Sequence, residues 1–381
     1  MTTDLPTLSP EPVRLREAGR LADGRVVQEI TLSHDGLVLS ALSYGGIVNA
    51  LWVPDRDGRP GNVVRGFDRL EDYLGSHPYL GEIVGRYANR IAGGCFELDG
   101  EGYELTRNEG DNTLHGGRRG FGVRPWQVES TRALDPALGG PAVTLRHVSE
   151  HGEEGFPGRL DVRVTYSLHD GRAWQIDTEA TTDRPTLVNL SHHDYFNLAG
   201  SGSALDHVLT IAASRYHPVD ERMIPTGIAD VSGTPFDFRS ARPIGERIRE
   251  PHAQIVLGHG YDHHWLLDDP SELSKDTPTG PAGAPQLAAK LEDPASGRTL
   301  ALYTTEPGLQ FYSANHLDGT LRGRGGEPLA RHSALCLEPQ HSPDSPHHPE
   351  WPSTVLRPGE VYRSRSTYVF GTRGRTRARR T

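Results

Sequence analysis

The sequence predicts an all-β protein built as one large antiparallel β-sandwich, and three observations carry that prediction. Glycine and proline number 44 and 29 among 381 residues, a punctuation density that suits many strands and turns and breaks long helices. Between the breaks, apolar residues recur at period two, in about nine to twelve segments. No repeat of solenoid period, composition break or domain-joining linker divides the chain. One sandwich over 13–372 follows, with a polar, proline-interrupted arm at 1–12 and a basic tail at 373–381.

The first strands occupy Val26 to Asp55, where alternation breaks at Asp35-Gly36 and Gly45-Gly46 as in successive hairpins. Phe67 to Gly75 has room for one or two helical turns. In GRYANRIAGG, Gly85, Gly93 and Gly94 bracket Arg86, Asn89 and Arg90 and free the backbone for tight turns. The glycine- and asparagine-rich stretch from Asn108, which holds His115, reads as a pocket loop until Trp126. Strands resume at AVTLRHVS, RLDVRVTYSLHD and AWQIDTEATT, the last two joined by a turn at His169-Asp170-Gly171.

The segment Pro185–Gly200, PTLVNLSHHDYFNLAG, is the most informative. Taken as one strand, it puts Asn189, Ser191, His193, Tyr195 and Asn197 on a polar face suited to flooring a hydrophilic pocket, with His192 and Asp194 on the other. HVLTIAASRYHPVD then reads as one strand, and RPIGERIRE as a short helix. GYDHHWLL carries Asp262, and residues 271–286 read as a flexible surface loop. A hairpin turning at Pro294 to Gly297 leads to a strand ending near Gln310. In the last motif strand, Ala334, Cys336 and Glu338 lie opposite Leu335 and Leu337, so Glu338 is half sheltered.

Composition excludes some functions. Net charge is −10, and −15 without the five arginines of the tail, so nucleic acid is not the expected partner. No apolar run reaches the length of a membrane span and no secretory leader pattern opens the chain, which points to a cytoplasmic protein with no membrane partner. Cys95 and Cys336 are too few for a disulfide framework and lack zinc spacing; both read as buried free thiols.

His115, His193, Asp262 and Glu338 could serve three chemistries. The adjacent pairs His192-His193 and His347-His348 suggest a metal, but neighbours on a strand point to opposite faces and no HxH or HExxH spacing occurs. Asp262 and Glu338 could flank a glycosidic bond. A carboxylate and an imidazole could instead shuttle protons on a sugar.

The ordered series GRYANRIAGG, NTLHGG, EGFPG, NLSHHDYFNLAG, GYDHHW, GLQFYSAN, LEPQHSPDSPHHPEWP and LRPGEVY resembles the aldose 1-epimerase, or galactose mutarotase, family from about residue 25 to Phe370. The resemblance implies a galactose-mutarotase-type β-sandwich that takes a monosaccharide with no metal or organic cofactor, as monomer or homodimer. It implies Glu338 as general base and His193 as general acid. It further implies that His115 hydrogen-bonds the ring or C1 oxygen, and that Asn89, Arg90, Tyr195, Asp262 and Gln310 line the sugar site. His192 stands where that family usually has asparagine, Asp194 where serine or threonine is common and Ser342 where an aromatic is common; His192 reads as structural. The alternatives are an epimerase of a phosphorylated hexose, favoured by Arg118 and Arg119 beside His115, and a non-catalytic sugar-binding protein.

Overall fold

The computed structural model describes residues 11–134, 139–268 and 284–374. The expected arm, the tail and the 271–286 loop fall wholly or largely outside these residues. The regular structure of the rest is nearly all antiparallel strand, in three main sheets. A five-stranded meander runs through Val13–Arg20, Val26–His34, Leu37–Leu42, Val48–Pro54 and Pro60–Asn62. Its turns fall at Asp35-Gly36 and at Gly45-Gly46, as the alternation predicts; its first strand carries too little apolar periodicity to be read from sequence.

A nine-stranded sheet begins with the hairpins Gln127–Arg132, Ala142–Ser149, Leu160–His169 and Ala173–Thr182. The long strand Tyr362–Thr372 is inserted between Ala173–Thr182 and Arg298–Thr304, so the C-terminal strand closes the sheet across the two halves of the chain. A six-stranded sheet holds, in spatial order, Tyr195–Phe196, Leu335–Gln340, Gly308–Tyr312, Asp262–Leu266, Arg215–His217 and Ala229–Asp230.

One apolar cluster draws on all three sheets, with Leu39 and Leu51 from the meander, Val162, Val164 and Trp174 from the nine-stranded sheet, and Leu309, Phe311, Leu335 and Leu337 from the six-stranded one. Trp174 stacks on Tyr368 with ring centroids 4.9 Å apart. Fully burying each such side chain contributes roughly 1.5–3 kcal/mol, so strand faces that alternate in sequence are held to one register.

Four expectations change. The nine- and six-stranded sheets alone exceed the nine to twelve strands counted from punctuation. HVLTIAASRYHPVD is two strands, Val208–Ile211 in the nine-stranded sheet and Arg215–His217 in the six-stranded one; period two does not reveal a change of partner. Ile244–Glu246 is only a 3-10 turn, whereas Ala253–Leu257 is a short helix capped by the His252 ring. Cys336 is buried, but Cys95 is only half-buried. The helical turn expected near Phe67 is Leu70–Tyr73. Among the described residues no helix is long and apolar enough to cross a membrane.

Burial of histidine gives the fold a pH dependence. Burial holds His193 and His263 down to about 3 and His207 and His217 to about 4, and pushes His115 and His264 well below the ordinary imidazole value. Each is neutral when folded and protonates near 6.5 when unfolded, so its stability contribution is intact above 6.5 and shrinks below it by about 1.4 kcal/mol per pH unit. Glu82, raised by burial to about 8, together with Glu338 and Asp262, also raised, acts in the opposite sense. Near pH 7 the unfolded imidazoles are only about a quarter protonated and do not outweigh the three carboxyls; below about pH 6, where they are mostly protonated, six groups outweigh three. The urea midpoint is expected to fall from pH 6 to pH 5, and a level or rising midpoint there would contradict this account.

Candidate functional site

The six-stranded sheet presents one pleated face away from the core. Its register places His264 opposite Gln310 and Gln310 opposite Glu338, while Asp262 faces Tyr312 and Tyr312 faces Cys336. Residues directly opposite share a face, so Asp262, His264, Gln310 and Glu338 emerge together. Leu335 and Leu337, at alternate positions, enter the core. Glu338 is 2 % exposed, and its Oε2 has no hydrogen-bond partner among the described residues. The same is true of Gln310 Oε1 and of both ring nitrogens of His264. Buried polar atoms are rarely left unbonded, so this cluster marks where a polar ligand is received.

His193 reaches the same place from a different element. Its Nε2 lies 3.8 Å from Glu338 Oε1, and Cys336 Sγ lies 3.5 Å from its Nδ1. Its ring stacks on Tyr195 at 5.1 Å and meets His115 edge-on at 5.3 Å. The segment around it is not the single strand that its alternation suggests. Thr186–Leu187 pairs with Val355–Leu356, Ser191–His192 with Ile83–Val84, and Tyr195–Phe196 with Leu335–Cys336. The expected polar row is correspondingly divided. Asn189 bonds the Ala88 and His341 carbonyls, Ser191 the Pro339 carbonyl and Asn197 the Ser333 carbonyl. Tyr195 donates its hydroxyl to Pro78 O at 2.8 Å and presents its ring to His193. Of the five, His193 brings a ring nitrogen to 3.8 Å from Glu338. His192 points the other way, as expected, against Tyr166 and Trp174.

The second wall is built by the pairing of Arg90–Ile91 with Thr113–Leu114, which sets Asn89 beside His115. Both residues have left-handed backbones, at φ 63 and φ 50, a conformation rare outside glycine and concentrated at functional sites. The turn after His115 admits no side chain, because a Cβ on Gly116 would lie 2.0 Å from Gly85 O. Asn89 N–H donates to His115 Nδ1 at 3.1 Å, and His115 N–H donates to Asn89 O at 3.0 Å. With Nδ1 accepting, the imidazole proton sits on Nε2. The Arg90 guanidinium grips both oxygens of Glu109, each at 2.6 Å. Gln310 Nε2 donates to Asp262 Oδ1 at 2.8 Å. The candidate residues Asn89, Arg90, His115, His193, Asp262, Gln310 and Glu338 therefore lie on two facing walls.

Electrostatics follows from burial. Desolvation pushes the Glu338 carboxyl well above the ordinary carboxylate range; Asp262 and Asp194 add to the rise and Arg90 opposes it. Desolvation likewise raises Asp262, against Arg90 and the Gln310 hydrogen bond. Buried Glu338 and His193 thus both favour their neutral forms, so one proton resides between them, on the carboxyl side.

His115, His193 and Glu338 each offer an atom within 4.8 Å of the others, the donor set of a cation site. The hydrogen bond to Asn89 argues against that use, because a metal on His115 Nε2 would need the proton on Nδ1, where it would oppose the Asn89 N–H. The residues fit proton chemistry better than metal ligation.

Tyr79 and His264 were not legible as site residues. Tyr79 has φ 57, meets His115 edge-on at 4.6 Å and lies 5.9 Å from the His193 ring. No sequence rule marks a tyrosine for a left-handed backbone; His264 was masked by its neighbour His263, which faces the core side with Trp265.

Fold and site together define a class, β-sheet enzymes that act on polar ligands by proton transfer. The particular family follows: this chain belongs to the aldose 1-epimerase family, whose pattern matches residues 28–369. It is 43% identical over 350 residues to the galactose mutarotase of Rattus norvegicus, covering 91% of this chain and 95% of that one. It is 39% identical over 364 residues to the aldose 1-epimerase of Escherichia coli K12, covering 93% and 99%. The crystal structure of galactose 1-epimerase from Lactobacillus acidophilus superposes with a TM-score of 0.80 at 28% identity, over 95% of this chain and 99% of that one.

Proposed function

We propose that the protein is an aldose 1-epimerase that interconverts the α and β anomers of free aldohexoses such as galactose and glucose. The observation that carries this reading is the buried His193–Glu338 pair, 3.8 Å apart and holding one proton between them. Anomer exchange consumes nothing and needs one proton to move each way. Ionised Glu338 takes the proton from the C1 hydroxyl while protonated His193 gives one to the ring oxygen, and the C1–ring oxygen bond breaks. The open-chain aldehyde rotates about C1–C2. Protonated Glu338 then returns its proton to the aldehyde oxygen as the C5 hydroxyl attacks C1 and yields its proton to His193. Burial favours the protonation state that accompanies the open-chain sugar, so it assists ring opening.

The remaining residues bind. His115 donates from Nε2 to the ring or C1 oxygen, Tyr79 walls the two imidazoles, and Tyr195 supports the His193 ring. Asn89, Arg90, Asp262 and Gln310 hold hydroxyls. Glu109 neutralises Arg90, which leaves this guanidinium better suited to a hydroxyl than to a phosphate. The reading includes a cytoplasmic location, one domain over 13–372 and a monomer or homodimer.

The test is polarimetry of freshly dissolved α-D-galactose and, in parallel, α-D-glucose. Equilibration well above the buffer rate is expected, and decay at the buffer rate for both sugars would exclude free-hexose mutarotation. Asp262→Asn should raise KM by roughly 10-fold, the worth of one hydrogen bond to a charged group. Its kcat should fall by less, because Glu338 loses a neighbouring negative charge. An unchanged KM would remove Asp262 from the binding set.

A further inference from the structure

We propose that His192 and Asp194 are positioning residues, a buried polar contact that bridges the residue before His193 to the residue after it and thereby fixes the His193 ring against Glu338. The need for such a bridge lies in the backbone. Up to His192 the segment is paired with Ile83–Val84, and from Tyr195 onward it is paired with Leu335–Cys336. His193 and Asp194 sit at the corner where the chain exchanges partners. The corner is held by His193 N–H donating to Glu82 O and by Gly81 N–H donating to His193 O. Those bonds fix the peptide on one side only.

On an extended backbone residues i and i+2 share a face, so His192 and Asp194 both project behind His193. There His192 Nδ1 lies 2.7 Å from Asp194 Oδ2. Asp194 is 0 % exposed, and among the described residues no donor is aligned for a hydrogen bond to its carboxylate, so the 2.7 Å approach of His192 Nδ1 is a close polar contact rather than a well-directed hydrogen bond. The imidazole is anchored at its far end, because Tyr166 OH lies 2.8 Å from His192 Nε2 and donates its single hydrogen to Gly46 O at 2.6 Å. The hydroxyl oxygen is then the acceptor and Nε2 carries a proton. The contact of Nδ1 with Asp194 therefore sits at the near end of a ring that is anchored at its far end. Tyr166 belongs to Leu160–His169, in the nine-stranded sheet, so the chain of contacts ties the His193 corner to the opposite layer of the sandwich.

Two buried polar side chains in contact at 2.7 Å and packed away from solvent permit little relative motion of their residues. A displacement of about 1 Å between reacting groups can cost on the order of 100-fold in rate. The charged and titratable groups around Glu338 include Asp262, Arg90, Asp194 and His193 with Tyr195, Tyr312, Tyr368 and Cys336, so Asp194 also contributes to the field at the base.

The inference rests on the proton-transfer reading of His193, and the experiment separates the two. If the wild type fails to mutarotate galactose, that reading fails. Given activity, His192→Asn and Asp194→Asn are each expected to lower kcat by about 10- to 100-fold, with KM for galactose within about threefold of wild type. The double variant H192N/D194S restores a neutral amide–hydroxyl bridge and is expected to recover most of kcat. The double variant H192L/D194A removes both polar groups and the bridge; it is expected to recover thermal stability and not kcat. Wild-type kcat in H192L/D194A would overturn the positioning role and leave the pair a stability feature. Should the single variants fail to fold, Tyr166→Phe, which frees His192 Nε2 and keeps both His192 and Asp194, is expected to lower kcat severalfold at constant KM. Unchanged kcat there would overturn the proposal as well.

Discussion

Glu338→Gln is expected to lower kcat for mutarotation by about 10²- to 10⁴-fold, the range covered by loss of a positioned general base, while making the protein no less stable. The substitution keeps the shape of the side chain and its place opposite Gln310, and removes only the group that ionises. The stability half of the prediction follows from burial. Desolvation raises the Glu338 carboxyl well above its ordinary value, so the folded state binds this proton more tightly than the unfolded chain does. The stability associated with the bound proton is complete below the unfolded value near 4.5 and is lost as pH rises towards the folded one. At neutral pH a buried group of this kind weighs against the fold, and glutamine, which never ionises, relieves that cost. A variant that is inactive and melts at or above the wild-type temperature supports Glu338 as a base held at the expense of stability. An inactive variant with a lowered melting temperature would assign the loss to damage instead, and an active one would end the base assignment.

How much of this could be read from the sequence differs between the fold and the site, for physical reasons. Alternation and turn residues act locally, so the Val26 to Asp55 meander, the hairpin at Asp170-Gly171 and the one at Pro294 to Gly297 were all legible. Pairing partners are set at long range. Nothing in PTLVNLSHHDYFNLAG indicates that its three short pairings are made to three different strands. The segment was therefore read as one strand with five pocket-facing polar groups, of which Asn189, Ser191 and Asn197 in fact satisfy distant carbonyls. The site fared better where motifs are compact, because the Asn89, Arg90 and His115 turns carry their own glycines. The partner of Arg90 was not legible, since Glu109 sits in a loop with several acidic neighbours, and Tyr79 was hidden because its left-handed backbone is imposed by surroundings rather than by its own preference.

The second large effect is expected from His193→Asn, a fall in kcat of about 10²- to 10⁴-fold with KM changed much less. Asparagine can fill part of the imidazole volume beside Tyr195 and Cys336 but cannot carry a proton to the ring oxygen. Burial leaves His193 neutral in the empty site, held down to about 3, so it does not hold a standing positive charge whose removal would disturb binding. Its contribution arises when it takes up the pair's proton and passes it to the ring oxygen as the sugar ring opens, which is why kcat and not KM should register its loss. The same argument fixes what the double variant E338Q/H193N should do. A proton that passes between two groups needs both, so once either is gone the other has nothing to exchange with. The double variant should be about as slow as the slower single variant, rather than slower by the product of the two factors. Multiplicative losses would mean that Glu338 and His193 act in separate steps, and the concerted exchange across the 3.8 Å between them would have to be given up.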